Sequence, residues 1–133
     1  MKRWLVDRGG ALTLAVAALY IALSPPWIVD GDNAEFATLA AVGGRAHPTG
    51  YPLYVLWLRA TSWLPGSSPA HTAAIATAIL AAAQVFVLHA ACRAWGARNV
   101  AASVATGIYA VAPVVLRMHT EAEVFALNGL VVS

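Results

Sequence analysis

Charge is missing from three long stretches of this chain, and a fourth such run opens near residue 124. Gly9 to Val29 carries no Asp, Glu, Lys or Arg over 21 residues, and about 20 apolar residues take a helix across the hydrocarbon of a bilayer. Ala70 to Cys92 and Asn99 to Leu116 are uncharged as well. The pattern therefore predicts an all-α fold of several transmembrane helices, with spans at about 9–29, 70–92 and 99–116 and the start of a fourth at 124. The fourth run is cut off at Ser133, as expected of the N-terminal part of a longer membrane domain, inactive by itself. Lys2, Arg3 and the apolar run 11–23 also resemble a signal peptide. No small-x-small cleavage site precedes Pro25, however, so a retained helix is the better reading.

Between the first two spans lies a polar loop, 30–69, with signals of its own. Asp32 is placed to cap a short helix running to Val42, with Glu35 at its third position, close to a capping box. Gly43-Gly44 ends that helix. In His47-Pro48-Thr49-Gly50-Tyr51-Pro52 the residues ahead of proline are pushed toward extended backbone. Leu53 to Leu64 reads as a second short helix, with Leu53, Leu56, Trp57, Ala60 and Leu64 on one side. Its Tyr54, Trp57 and Trp63 suit the headgroup layer, so it is expected to lie along the membrane.

Composition supports lipid as the solvent. The 133 residues are 60% hydrophobic and 11% charged, with a mean hydropathy of +0.70, whereas soluble domains are about a quarter charged. Eight basic residues, spread singly at a net charge of +2, form no patch and argue against nucleic acid as a partner. Cys92 is alone, which excludes an internal disulfide and a cysteine-based zinc site. Lys2, Arg3 and Arg8 precede the first span, and Arg93 and Arg98 link the second to the third. The positive-inside rule then puts the N-terminus in the cytoplasm and the loop 30–69 outside. Five of the six acidic residues (Asp30, Asp32, Glu35, Glu121, Glu123) fall on that outer face.

Asp32 and Glu35, three positions apart on one helix face, are the types needed for acid–base work or metal binding. A carboxylate beside lipid can hold a raised pKa, which suits a general base. Glycosyl transfer needs such a base for the acceptor hydroxyl, and positive charge from arginine or a divalent ion for the departing phosphate. Arg45 and Arg117 are of the right type. Capping alone would also explain Asp32 and Glu35 without any catalysis, as the less favoured reading. His71 and His89 stand too far apart on one helix to share a metal, and His119 reads as a loop histidine.

Three ordered motifs carry a resemblance: Gly31-Asp32-Asn33-Ala34-Glu35-Phe36, His47-Pro48-Thr49-Gly50-Tyr51-Pro52-Leu53-Tyr54, and Glu121-Ala122-Glu123-Val124-Phe125-Ala126-Leu127-Asn128. Over about residues 27–132 the chain resembles multi-spanning membrane glycosyltransferases related to protein O-mannosyltransferases, within the GT-C superfamily. Thr49 replaces a second proline of the middle motif, and Phe125 a common tyrosine. The resemblance implies a polyprenyl-phosphate sugar donor, a hydroxyl acceptor and transfer at the outer face of a plasma membrane, read as bacterial. Mannose and a protein hydroxyl come from the resemblance only. Carried over by motif, the catalytic carboxylate is Asp32, supported by Glu35. His47, Tyr51, Arg45, Arg117, Glu121 and Glu123 are the substrate-binding candidates. No cofactor is implied beyond, at most, a divalent cation, for which no ligands are specified.

Two other classes compete. A transporter would carry ionisable residues in mid-span, and these spans have only histidines near their ends. A non-catalytic scaffold whose outer loop docks a partner would tolerate Asp32→Asn and Glu35→Gln without loss.

Overall fold

The computed structural model describes residues 8–133; Lys2 and Arg3, on which the predicted orientation partly rests, lie outside the described residues. Seven helices and no strands occur among the described residues: α1 (Arg8–Leu23), α2 (Asn33–Val42), α3 (Pro52–Ala60), α4 (Pro69–Ala94), α5 (Asn99–Val111), α6 (Pro113–Thr120) and α7 (Phe125–Val132).

The longest helix, α4, is the axis, and each of the other six packs against it. Its start is written in Ser68-Pro69: the Ser68 hydroxyl accepts the His71 amide at 3.0 Å, and proline occupies the first turn. Ala73, Ala74, Ala76, Ala78 and Ala81 are fully or almost fully buried along it. Small side chains at these positions let neighbouring backbones approach closely. On α7 the space a Gly129 side chain would need is filled by Gln84 of α4.

Among the described residues, only α4 is by itself long and apolar enough to cross a membrane. α1 supplies a shorter apolar helix, Gly9–Leu23, because the chain leaves helix before Pro25-Pro26, short of the expected Val29. The expected third span is broken: α5 and α6 pass the same test only as a pair, bent by 69°. Pro113 has no N–H to continue the ladder, and at the break the Ala110 carbonyl accepts the Tyr20 hydroxyl of α1 at 2.8 Å. His119 is not in a loop but on α6, 3% exposed, with Nδ1 3.2 Å from the same Tyr20 oxygen. Since the phenol's one hydrogen goes to Ala110, His119 must carry its proton on Nδ1 here.

The loop 30–69 does fold into two short helices, with two differences from expectation. Asp32 precedes α2, but its side chain makes no capping bond and Glu35 does not reach back to it, so there is no capping box. α3 buries Tyr54, Val55 and Leu58 rather than the Leu53–Leu56 side, which is exposed. Its sequence is apolar nearly all round, and two hydrogen bonds to α4 choose the face. The Tyr54 hydroxyl donates to Thr77 Oγ1 at 2.6 Å, Thr77 having spent its own hydrogen on Ala73. Trp57 Nε1 donates to the Ala76 carbonyl at 3.0 Å. Phe36 of α2 then packs edge-on against Tyr54, 4.8 Å between centroids, and fixes α2 to the same end of α4.

Candidate functional site

Asp32, Glu35 and His47 converge where the start of α2 meets the loop ahead of α3. Glu35 grips His47 twice: Oε1 accepts the backbone N–H at 2.8 Å, and Oε2 lies 2.5 Å from ring Nδ1. The other ring nitrogen, Nε2, lies 3.7 Å from Asp32 Oδ2. The imidazole thus stands between two carboxylates. Tyr51 packs edge-on against it, with centroids 5.4 Å apart, and against Phe36 at 5.8 Å. Tyr51 is left-handed (φ 40°), not extended as the following proline predicts, and this places its ring over the loop.

The electrostatics divide the carboxylates by role. Hydrogen bonds from the His47 ring and backbone lower the Glu35 pKa below its ordinary value, and the Glu35 bond raises that of His47. A raised carboxyl pKa, expected for one of the loop carboxylates, is found instead on Glu123. There burial pushes the pKa up first and the Asp32 charge adds to it, while the nearby Asp32 backbone and the charge of Arg117 oppose. Glu123 is 7% exposed. It reaches this end of the molecule from the loop between α6 and α7, and its Oε1 would lie 3.0 Å from a Cβ on Gly31.

Other candidates fall outside this cluster. Arg117 pairs with Glu121 at 3.2 Å, four residues on along the chain. Arg45 is exposed in the segment after α2. His71 accepts the Ser67 amide at 3.1 Å, and His89 lies 3.3 Å from the Ser103 hydroxyl, each a local structural contact. The Tyr20–His119 pair escaped the sequence reading, because its members are 99 positions apart and only the bend between α5 and α6 brings them together.

Chemically, Glu35 is occupied and Asp32 is open. One ligand atom each from Asp32, Glu35 and His47 lies within 4.8 Å of the others, a set that could hold a metal ion. Oxygen and imidazole donors suit a divalent cation, but Glu35 and His47 would first have to give up their mutual bond.

Residues 32–133 match the family model described as the protein O-mannosyl-transferase TMEM260 N-terminal domain. The mouse protein O-mannosyl-transferase TMEM260 is 29% identical over 123 residues, which cover 92% of this chain and 18% of the mouse protein. The chain therefore spans under a fifth of the length of that curated relative. No solved structure matches. The family match begins at Asp32 and takes in the whole cluster, so the chain belongs to the family of the TMEM260-type protein O-mannosyl-transferase N-terminal domain.

Proposed function

We propose that this chain forms the acceptor-activating part of a polytopic GT-C-type membrane glycosyltransferase. The enzyme would move mannose from a polyprenyl-phosphate donor to a protein hydroxyl at the outer face. One observation carries the reading: in a chain of this family, Asp32 is exposed beside an imidazole that Glu35 holds toward its charged form.

Asp32 takes the hydroxyl proton as the acceptor oxygen attacks the anomeric carbon. The bond from that carbon to the phosphate oxygen breaks, and the lipid phosphate leaves with the electron pair. His47, held by Glu35, and Arg45 supply positive charge for that phosphate, while Tyr51 walls the loop. Glu35 is a positioning residue in this scheme, since both its oxygens serve His47. Arg117 and Glu121, paired with each other at 3.2 Å, would contact substrate from α6 and the loop after it. A divalent cation at Asp32, Glu35 and His47 would supply the charge instead, at the cost of the Glu35–His47 bond.

The two ends of α4 support the outer face as the side of transfer. Its 26 residues span about 39 Å, with Arg93 and the nearby Arg98 at one end and the carboxylate-bearing loops packed toward the other. Basic residues in short loops mark the cytoplasmic side.

The test is transfer of radiolabelled mannose from a polyprenyl-phosphate donor by the intact protein in membranes, wild type against Asp32→Asn. A positioned base contributes about 10²–10⁴-fold, and a loss of that size at unchanged protein level is expected. Undiminished transfer by the variant would remove Asp32 from the chemistry. Absence of transfer by the wild type, across sugar donors, would favour the non-catalytic scaffold.

A further inference from the structure

One helix ends and another crosses at the same level of α4. α1 runs beside α4 from Gly9, where a side chain would collide with the His89 ring, to Leu23. Near that end Ile21 and Ser24 line one groove with Ile75 of α4. α3 meets α4 at this height too, through Tyr54 on Thr77 and Trp57 on the Ala76 carbonyl. From Ala76 to Arg93 the helix rises about 26 Å, close to the roughly 30 Å of hydrocarbon in a bilayer. The stretch before Ala76 opens with Ser68 and carries His71 and Thr72 in its first turns.

At this level α3 turns an unpartnered face outward. Leu53, Leu56, Ala60 and Trp63 recur at helical spacing, away from the buried Tyr54 and Leu58. Leu56 is 63% exposed and Trp63 77%. No acidic residue occurs from Pro52 to Trp63. The Trp63 indole N–H already donates to the Ala60 carbonyl at 3.0 Å, so the ring takes no unmet donor into an apolar layer. Arg59 stands exposed at the edge of the face, and its Nη1 occupies the space that a side chain on Gly43 would fill at the end of α2. Among the described residues it has no ion pair.

We propose that the outer leaflet of the bilayer meets this chain at α3, more than a turn below the start of α4: the Leu53–Trp63 face enters the acyl boundary and Arg59 binds a phospholipid phosphate. This rests on the reading of α4 as a membrane span and not on the chemistry assigned to Asp32. Level, apolar face and unpaired cation together select lipid as the occupant. An amphipathic helix in an interface buries its apolar side about 5–10 Å into the headgroup–acyl boundary, and a guanidinium matches a phosphate in charge and geometry. The span on α4 then begins within a turn of Ala76 rather than at Ala70. Tyr51, which packs on His47, directly precedes α3, so the Asp32–Glu35–His47 cluster lies at headgroup height, where the phosphate of a lipid-linked donor is held.

The test uses the intact protein in phospholipid vesicles, with single nitroxide labels at Leu56→Cys, Trp63→Cys, Ser67→Cys or Phe86→Cys in a background free of other cysteines. Collision with oxygen, which favours lipid, is compared with collision with a water-soluble nickel chelate. The labels at positions 56 and 63 should meet oxygen far more than nickel and report a depth of about 5–10 Å. The label at 67 should show the reverse, and the label at 86 should lie deeper than both on the lipid side. Three results would overturn the proposal: nickel reaching positions 56 and 63, both agents excluded there by another part of the protein, or position 67 also in lipid. Positions 56 and 63 report independently, so either decides if the other variant does not fold. Nickel reaching position 86 would instead defeat the membrane reading of α4 itself. For Arg59, magnetic dephasing of arginine guanidinium carbon-13 by lipid phosphorus-31 should fall in Arg59→Gln; dephasing unchanged by the substitution would refute the phosphate contact.

Discussion

Removing one oxygen, in Tyr20→Phe, tests what holds the bend between α5 and α6. Tyr20 and Ala110 are 0% exposed and His119 3%. The phenol donates to the Ala110 carbonyl at 2.8 Å and lies 3.2 Å from His119 Nδ1. Phenylalanine keeps the ring, so its edge-on packing against His119, with centroids 5.5 Å apart, should survive. What is lost is the partner of a carbonyl at a helix break and of one ring N–H. An unsatisfied buried polar group costs about 1–3 kcal/mol, while hydrogen bonds between helices in lipid average nearer 0.6 kcal/mol. The two groups together should therefore cost roughly 2 kcal/mol, the upper scale being favoured because water does not reach either group. Reversible unfolding in bicelles, wild type against Tyr20→Phe, measures this directly. Stability within about 0.5 kcal/mol of wild type, the range of neutral surface changes, would show that Pro113 alone sets the bend.

The Glu35–His47 pair should show its charge in titration. His47 has a raised pKa, so its contribution is complete below its ordinary value of about 6.5 and is lost as pH rises through the folded value; Glu35 has a lowered one, so its contribution is complete above about 4.5 and is lost as pH falls through the folded value. The pair is thus fully formed between about pH 4.5 and 6.5, and NMR titration of the His47 ring should give a midpoint above the ordinary value. Glu35→Gln should bring that midpoint down; an unchanged midpoint would contradict the contact. Tyr54→Phe should cost about 0.5–1.5 kcal/mol, read by the same unfolding assay, because only the Thr77 bond is lost and Thr77 still donates to Ala73. Arg117→Ala should change stability by about 0.5 kcal/mol or less, since its pair with Glu121 is a surface contact of helical spacing. A larger loss there would mean that Arg117 holds more than Glu121.

Uncharged runs and breakers in the sequence were enough to locate the helical segments, because a helix needs only continuous apolar or small residues and a stop at either end. The uncharged run from Ala70 marked the start of α4 to within a residue, and Gly43-Gly44 the end of α2. The motif residues Asp32, Glu35 and His47 were also legible, since they share one loop. Their division of labour was not. A carboxylate three positions after Asp32 looks the same in a capping box as in a grip on His47, and only the path of the chain through residues 43–46 turns Glu35 toward the ring. The face of α3 was equally hidden, because a helix apolar on all sides has no phase until Tyr54 and Trp57 meet α4. The burial of Glu123, a residue already singled out by the third motif, and the Tyr20–His119 pair belong wholly to tertiary structure. Pro113 announces a break but gives it no direction; the bend, held from α1 by Tyr20, aims α6 so that the following loop delivers a buried carboxylate to the residue that precedes α2. Local sequence determines where helices begin and end, since those hydrogen bonds close within a few residues. Which carboxylate is buried depends on groups about 90 positions apart, and which is paired and which is left open on how the loop folds back over 12 residues, so the packed fold alone decides the division.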